Sequence, residues 1–265
     1  METLDECQPW GITKYTIMPG SHITFQTDRA KIDLITNPHF GRMLFIDGVL
    51  QCAQTDEHIY HEAIVACAFS FSFSFSFTGT GTKGLEGSAN VLIAGGAEGA
   101  VAREVLKFPN VKSITMVDWD KELIQHMRHK ENDEPFSQGA FENPLLTLIH
   151  VDILEFLAFT DEIFNIIILD LLDPQDSSEV KWLSAVTHMA FSKLAYGGTL
   201  VLNAGGDYER VLELKELVSK GQSPSREQGS QGQSSQGNTY ECQHTEIFIP
   251  SFQEIWYLIT MRRHI

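Results

Sequence analysis

Asn90-Val-Leu-Ile-Ala-Gly95-Gly96-Ala97-Glu98-Gly99-Ala100 is the stretch that decides how this chain folds. Val91 to Ala94 reads as a short buried strand, the glycines as a turn, and Glu98 to Lys107 as a helix. Glycine lets the backbone turn tightly and approach a ligand closely. Alone, such a turn fits dinucleotide enzymes, methyltransferases and a plain β–α connection.

The pattern repeats along the chain. Val111 to Val117 is a second strand, Trp119 to His129 a second helix, Leu145 to Val151 a third strand and Phe164 to Leu169 a fourth. A helix near Val180 to Ala195, a Gly197-Gly198 turn and a strand from Thr199 to Asn203 follow. Strands alternating with helices specify a mostly parallel, doubly wound α/β sheet. The expected fold is Rossmann-like, resembling that of S-adenosylmethionine methyltransferases, and its ligand belongs outside the carboxyl ends of the strands.

Before residue 59 the reading is β. His22 to Thr27 and Lys31 to Thr36 alternate. Gly41 to Ile46 runs through Asp47-Gly48 into Val49 to Gln51, and Asp-Gly between apolar runs is a strong hairpin signal. Asp56 is placed to cap a helix running to about Ala68. The chain thus divides into an N-terminal β-hairpin domain (1–58) and a Rossmann-like catalytic domain (59–265). Two low-complexity stretches, 69–88 and 220–238, interrupt it. Phe69 to Phe77 alternates Phe and Ser, which fits either a strand with Phe on one face or an expanded repeat. Lys220 to Asn238, rich in Ser, Gln and Gly, reads as a disordered loop. Neither has an assigned role.

The formal charge is −16. That argues against nucleic acid, whose phosphates need Lys and Arg, and suits a cationic ligand, although an acidic surface also simply keeps a protein soluble. No apolar run is long enough for a membrane span. The acidic start, Met1 to Trp10, does not resemble a signal peptide. Four scattered cysteines without a C-x-x-C pair fit reduced thiols, so a cytoplasmic protein is expected. His22, His39, His58, His129 and His188 show no metal-ligand spacing and are expected at the surface. Trp256 and Tyr257 are expected in the core.

Acids stand at the strand ends: Glu98 just past the glycine turn, then Asp118, Asp152 and Asp170. An acid about 20 positions after the turn, here Asp118, accepts hydrogen bonds from ribose hydroxyls. Asp152, followed by Ile153, can accept from an adenine amino group. Clustered carboxylates repel and must be offset by something cationic. Glu98 discriminates between donors. It would repel the carboxylate of S-adenosylmethionine, but would favour the same molecule once decarboxylated, with a bare aminopropyl ammonium.

At these residues the chain resembles the spermidine synthase family of polyamine aminopropyltransferases. The matching segments are Phe40 to Gln51, Asp56-Glu-His-Ile-Tyr-His-Glu62, Gly95 to Gly99, Ala102-Arg-Glu-Val-Leu106 and Asp170-Leu-Leu-Asp-Pro174. Glu98, Leu171 and Ile249-Pro-Ser-Phe252 are more similar to its thermospermine synthase branch. The resemblance implies that Gln51, Tyr60, His61, Glu98, Asp118, Asp152, Ile153 and Asp173 hold decarboxylated S-adenosylmethionine and a polyamine. It further implies that Gly95, Gly96 and Gly99 form the nucleoside loop and that Asp170 takes the proton. No cofactor or metal is expected, since the donor is a co-substrate whose sulfonium already makes its neighbouring carbon electrophilic. A homodimer or homotetramer, with no nucleic-acid or membrane partner, is implied as well. The chain departs from the family at Ala97, Asp118, Asn203 and the loop after Pro174. A methyltransferase and a non-catalytic polyamine-binding relative remain as alternatives.

Overall fold

A computed structural model describes residues 2–8, 11–70, 88–220 and 240–264. The sheet that carries the site has seven strands, in the order β12-β13-β11-β10-β7-β8-β9. These are β7 (Ala89–Gly95), β8 (Val111–Val117), β9 (Leu146–Ile149), β10 (Phe164–Asp170), β11 (Leu194–Asn203), β12 (Tyr240–Ile249) and β13 (Glu254–Arg263). The first five run parallel, and β13 and β12 close one side antiparallel. The doubly wound expectation is met.

Alternation in β7 explains why both faces are covered. Val91 and Ile93 bury against α1 (Glu57–Ser70) and α2 (Ala100–Leu106). Leu92 and Ala94 bury on the opposite side with α5 (Ile153–Phe159), α6 (Ser177–Ser192) and α7 (Tyr208–Lys220). A strand apolar on both faces is stable only when sandwiched in this way. Between β8 and β9 lie two short helices, α3 (Lys121–Met127) and α4 (Lys130–Asp133). Among the described residues, no helix is long and apolar enough to cross a membrane.

The N-terminal strands form a ribbon of β1 (Thr3–Gln8) and β2 (Gly11–Thr16) and a four-stranded antiparallel sheet, β3 to β6. Those four are β3 (Ile23–Gln26), β4 (Lys31–Asn37), β5 (Gly41–Ile46) and β6 (Val49–Ala53). Asp47 and Gly48 both have positive φ, 50° and 81°, and pair Ile46 with Val49. This is the backbone that an Asp-Gly hairpin turn requires. The sheet's Ile32, Leu34 and Leu44 join the core beneath α1, while Ile35, Met43 and Phe45 pack with Tyr15 and Ile17.

Several expectations need correction. Gly197-Gly198 is not a turn before a strand but lies inside β11, which begins at Leu194 and pairs irregularly with β10 near Asn165. The preceding helix accordingly starts earlier, at Ser177, where the Asp176 carboxylate caps it. Glu98 precedes α2 rather than opening it, because Gly99 sits left-handed at the N-cap. Asp56 does not cap α1: its carboxylate accepts the Ser251 N–H at 2.6 Å. The first helical residue is Glu57, so a boundary after residue 58 falls within α1's first turn. His22 and His188 are half-buried, bonded to Asp33 and the Val218 carbonyl. Trp256 is only half-buried, and its indole is put to polar use. Phe69 and Ser70 end α1 instead of starting a strand, and the rest of the Phe/Ser repeat lies outside the described residues. So does the Ser/Gln/Gly-rich stretch beyond Lys220.

Candidate active site

Strand order reverses between β7 and β10: β8 and β9 extend to one side of that pair and β11 to the other. A doubly wound sheet opens its ligand crevice at such a switch point. Gly95 and Asp170 are register partners there. A Cβ on Gly95, at φ 82°, would stand 1.8 Å from the Asp170 carbonyl oxygen. What the glycine admits is therefore the end of the neighbouring strand. Gly99 has a similar reason, since a Cβ would meet Ser137 at 2.5 Å and the Phe141 ring at 2.7 Å. Gly96 lies beneath the Asp170 side chain.

Around this point the fold assembles Tyr60, His61, Glu98 and Asp170. The Tyr60 hydroxyl donates to Asp170 Oδ1 at 2.5 Å. His61 Nδ1 lies 2.7 Å from Glu57 Oε2, and its Nε2 lies 3.2 Å from Glu98 Oε1. The second contact is an ion pair off the line of a hydrogen bond, because Glu98 Oε1 has no hydrogen-bond partner among the described residues. Burial pulls the His61 imidazole down, but the Glu57 and Glu98 carboxylates outweigh it and raise its pKa to about 10. Asp170 is pushed up to about 7, by burial first and the Glu98 charge second; His61 and the Tyr60 hydroxyl oppose the rise. Tyr60 is driven up by burial and by Asp170.

In the loop just past β10, Asp173 is raised to about 6 by burial, against its bond from Asn203. Asn203 is tightly engaged. Its Nδ2 donates to Asp173 Oδ1 at 2.5 Å and to the Leu171 carbonyl at 3.2 Å. Its Oδ1 accepts the Trp256 indole at 2.8 Å and the Gly205 N–H at 3.1 Å. On the β8 side, Asp118 is raised to about 7 by burial, although it accepts the Asp120 N–H at 2.8 Å. Asp120 caps α3 and accepts the Thr27 hydroxyl at 2.7 Å, which ties the N-terminal sheet to this rim. Trp119 stands exposed beside Asp118, with the Arg29 guanidinium 4.8 Å over its ring. Asp152 caps α5 through the Leu154 N–H, and Ile153 is buried behind it. Gln51 is exposed on β6 and donates to the Val49 carbonyl; no hydrogen bond among the described residues joins it to the acids.

Glu57, Arg103, Glu104, Asn203 and Trp256 build the site as well, although none of them is expected there from the sequence. Only Glu57 and His61 carried a legible signal, an i,i+4 pair on one helix face. The others are joined by tertiary packing.

Donor atoms of His61, Glu98 and Asp170 lie within 4.8 Å of one another. An imidazolium has no lone pair for a metal, so in its charged form His61 acts as the local cation itself. A half-buried carboxylate poised near neutrality, beside further acids, is suited to binding amines and accepting a proton.

The spermine/spermidine synthase domain model matches residues 57–262. This chain belongs to the spermine/spermidine synthase family. It is similar to polyamine aminopropyltransferase 1 of Pseudomonas aeruginosa, 32% identical over 196 residues, covering 74% of this chain and 63% of that protein. It is also similar to the polyamine aminopropyltransferase of Sulfolobus acidocaldarius, 37% identical over 167 residues, covering 62% of this chain and 50% of that protein. The matches thus span between half and about two thirds of these relatives' length. Among solved structures, the spermidine synthase of Thermotoga maritima superimposes with TM-score 0.79 at 18% identity, covering all of this chain and 80% of that one. A spermidine synthase bound to the transition-state analogue AdoDATO gives 0.80 at 18% identity, covering all of this chain and 81% of that one. Both likenesses agree on the fold.

Proposed function

We propose that this member of the spermine/spermidine synthase family transfers the aminopropyl group of decarboxylated S-adenosylmethionine to a polyamine amine, releasing methylthioadenosine. The observation that carries the reading is Asp170, a half-buried carboxylate poised near pH 7 beside Tyr60, Glu98 and Asp173. A free amine is protonated in water, with a pKa of about 10, and must lose a proton to attack. Asp170 takes that proton, while Asp173 and Glu98 attract the cationic amines of acceptor and donor. Asp118 holds the ribose, and Asp152 with Ile153 the adenine. Tyr60 and Gln51 line the acceptor side. No metal is needed, because the sulfonium supplies the electrophile, and most of the rate gain comes from alignment.

Glu98, Leu171 and Ile249-Pro-Ser-Phe252 favour spermidine as acceptor, with thermospermine or spermine as product, and putrescine to spermidine is the alternative. The enzyme is proposed to work in the cytoplasm as a homodimer or homotetramer. Incubation with decarboxylated S-adenosylmethionine and putrescine, spermidine or norspermidine tests the reading. Methylthioadenosine is expected with at least one acceptor, and its absence with all three, from folded protein, overturns the reading.

A further inference from the structure

A run of charges leads from the surface to the acid cluster. Lys107 on the outside contacts Glu104 at 2.6 Å; Glu104 contacts Arg103 at 2.8 Å; Arg103 contacts Glu57 at 2.9 Å. Glu57 contacts His61, and His61 faces Glu98. The signs alternate along all six residues, and with His61 charged they cancel. Arg103 is anchored further by the Phe136 carbonyl. Glu57, His61 and Arg103 are all more than nine-tenths buried.

The geometry fixes the state of His61. A neutral imidazole carries one N–H and one lone pair. With carboxylate oxygens 2.7 Å from Nδ1 and 3.2 Å from Nε2, either neutral tautomer leaves one nitrogen without a proton beside an anion. Only the imidazolium suits both sides. Removing one partner from such a buried run leaves its neighbour uncompensated. The titratable groups facing His61 and Asp170 are Cys52 from β6, Glu57 and Tyr60 from α1, Glu98 from the turn, Arg103 from α2, and Asp173 beyond β10.

We infer that Glu57 and Arg103 are positioning residues that hold His61 as the cation neutralising Glu98, and so keep Asp170 available as the proton acceptor. The inference rests on the proposed aminopropyl transfer for its kinetic readout, but not for its spectroscopic one. Glu57→Gln removes a charge and keeps the shape. His61 then gives up its proton more readily, the Glu98 charge stands bare, and Asp170 holds its own proton to higher pH.

The test has two readouts. The first is the NMR titration of the His61 imidazole in the wild-type chain, assigned by comparison with His61→Asn. It is expected to stay protonated past pH 8.5, and a midpoint below pH 8 overturns the inference. The second is the pH profile of kcat/KM. In Glu57→Gln the acid limb is expected to move up by about one pH unit, roughly a tenfold loss at pH 6; Arg103→Met, which keeps the Glu57 charge but frees its carboxylate from the place it holds beside His61, is expected to move the limb the same way by less, and Arg103→Lys restores it. A purely structural role would lower the plateau or the melting temperature without moving the limb, and an unmoved limb in both variants overturns the inference. If neither variant folds, or if no turnover exists, the wild-type titration decides alone.

Discussion

The Tyr60 hydroxyl donates a 2.5 Å hydrogen bond to Oδ1 of Asp170, joining the first helix to the end of the fourth strand of the main sheet across 110 residues of sequence. A donor to the ionised form favours that form. The bond therefore helps a carboxylate in an acid-rich pocket give up its proton near neutrality.

Tyr60→Phe deletes this bond alone. Asp170 should then ionise at higher pH, moving the acid limb of kcat/KM upward. Hydrogen bonds to charged groups are worth about 1.5–3 kcal/mol, so a loss of about 10–100-fold at pH 7 is expected. A steady-state pH series reads it, and an unmoved limb would show that the hydroxyl does not act on Asp170.

Asp170→Asn retains the shape but cannot accept a proton. Turnover should drop by about 10²–10⁴-fold, the usual contribution of a general base. Circular dichroism and melting temperature should stay close to wild type. Near-normal turnover would remove Asp170 from that role.

Asn203 offers a different test, because its amide holds Asp173, the Leu171 carbonyl, Gly205 and Trp256 together. Asn203→Ala should cost about 1–3 kcal/mol of stability from the groups left unpaired. It should raise KM for the polyamine more than KM for the nucleoside donor, since Asp173 lies on the acceptor side of the proposed site. Equal changes in both would mean that the amide supports the whole site and not Asp173 specifically.

Stability should fall as pH rises. His61 has a folded-state pKa of about 10 against an ordinary 6.5, so its contribution is complete below 6.5 and is lost toward 10. Asp118 and Asp170, raised to about 7 from 3.8, act in the same direction: their burial is harmless below 3.8 and destabilising once they ionise toward 7. Melting temperature should accordingly decline from pH 5 to pH 9, and added spermidine should recover more of it at pH 8 than at pH 5. A flat profile without spermidine, or equal recovery at both pH values, would count against a charged, amine-binding cluster.

Much of this was legible in the sequence, for identifiable reasons. Strands such as Val111–Val117 and Phe164–Asp170 declare themselves through a short buried run at the centre, Ile114–Val117 and Ile166–Leu169, in which both faces are covered. Asp47-Gly48 declares its hairpin because few other pairs accept two positive φ angles. Gly197-Gly198 misleads for the complementary reason: glycine marks a turn in isolation, yet β11 absorbs it where its pairing with β10 slips. The acids at the strand ends could be located from the doubly wound order alone. Their partners could not, since Arg103 meets Glu57 across 46 positions and Asn203 meets Trp256 across 53. Such contacts depend on tertiary packing, which local periodicity does not encode.

The acid-lined crevice is expected to prefer a nucleoside donor without a carboxylate. Isothermal titration calorimetry of the chain against decarboxylated and intact S-adenosylmethionine tests it most directly. Placing a third carboxylate beside Glu98 and Asp170 should weaken the intact donor by at least tenfold, about 1.4 kcal/mol. Equal or tighter binding of the intact donor would contradict the account and favour a methyltransferase.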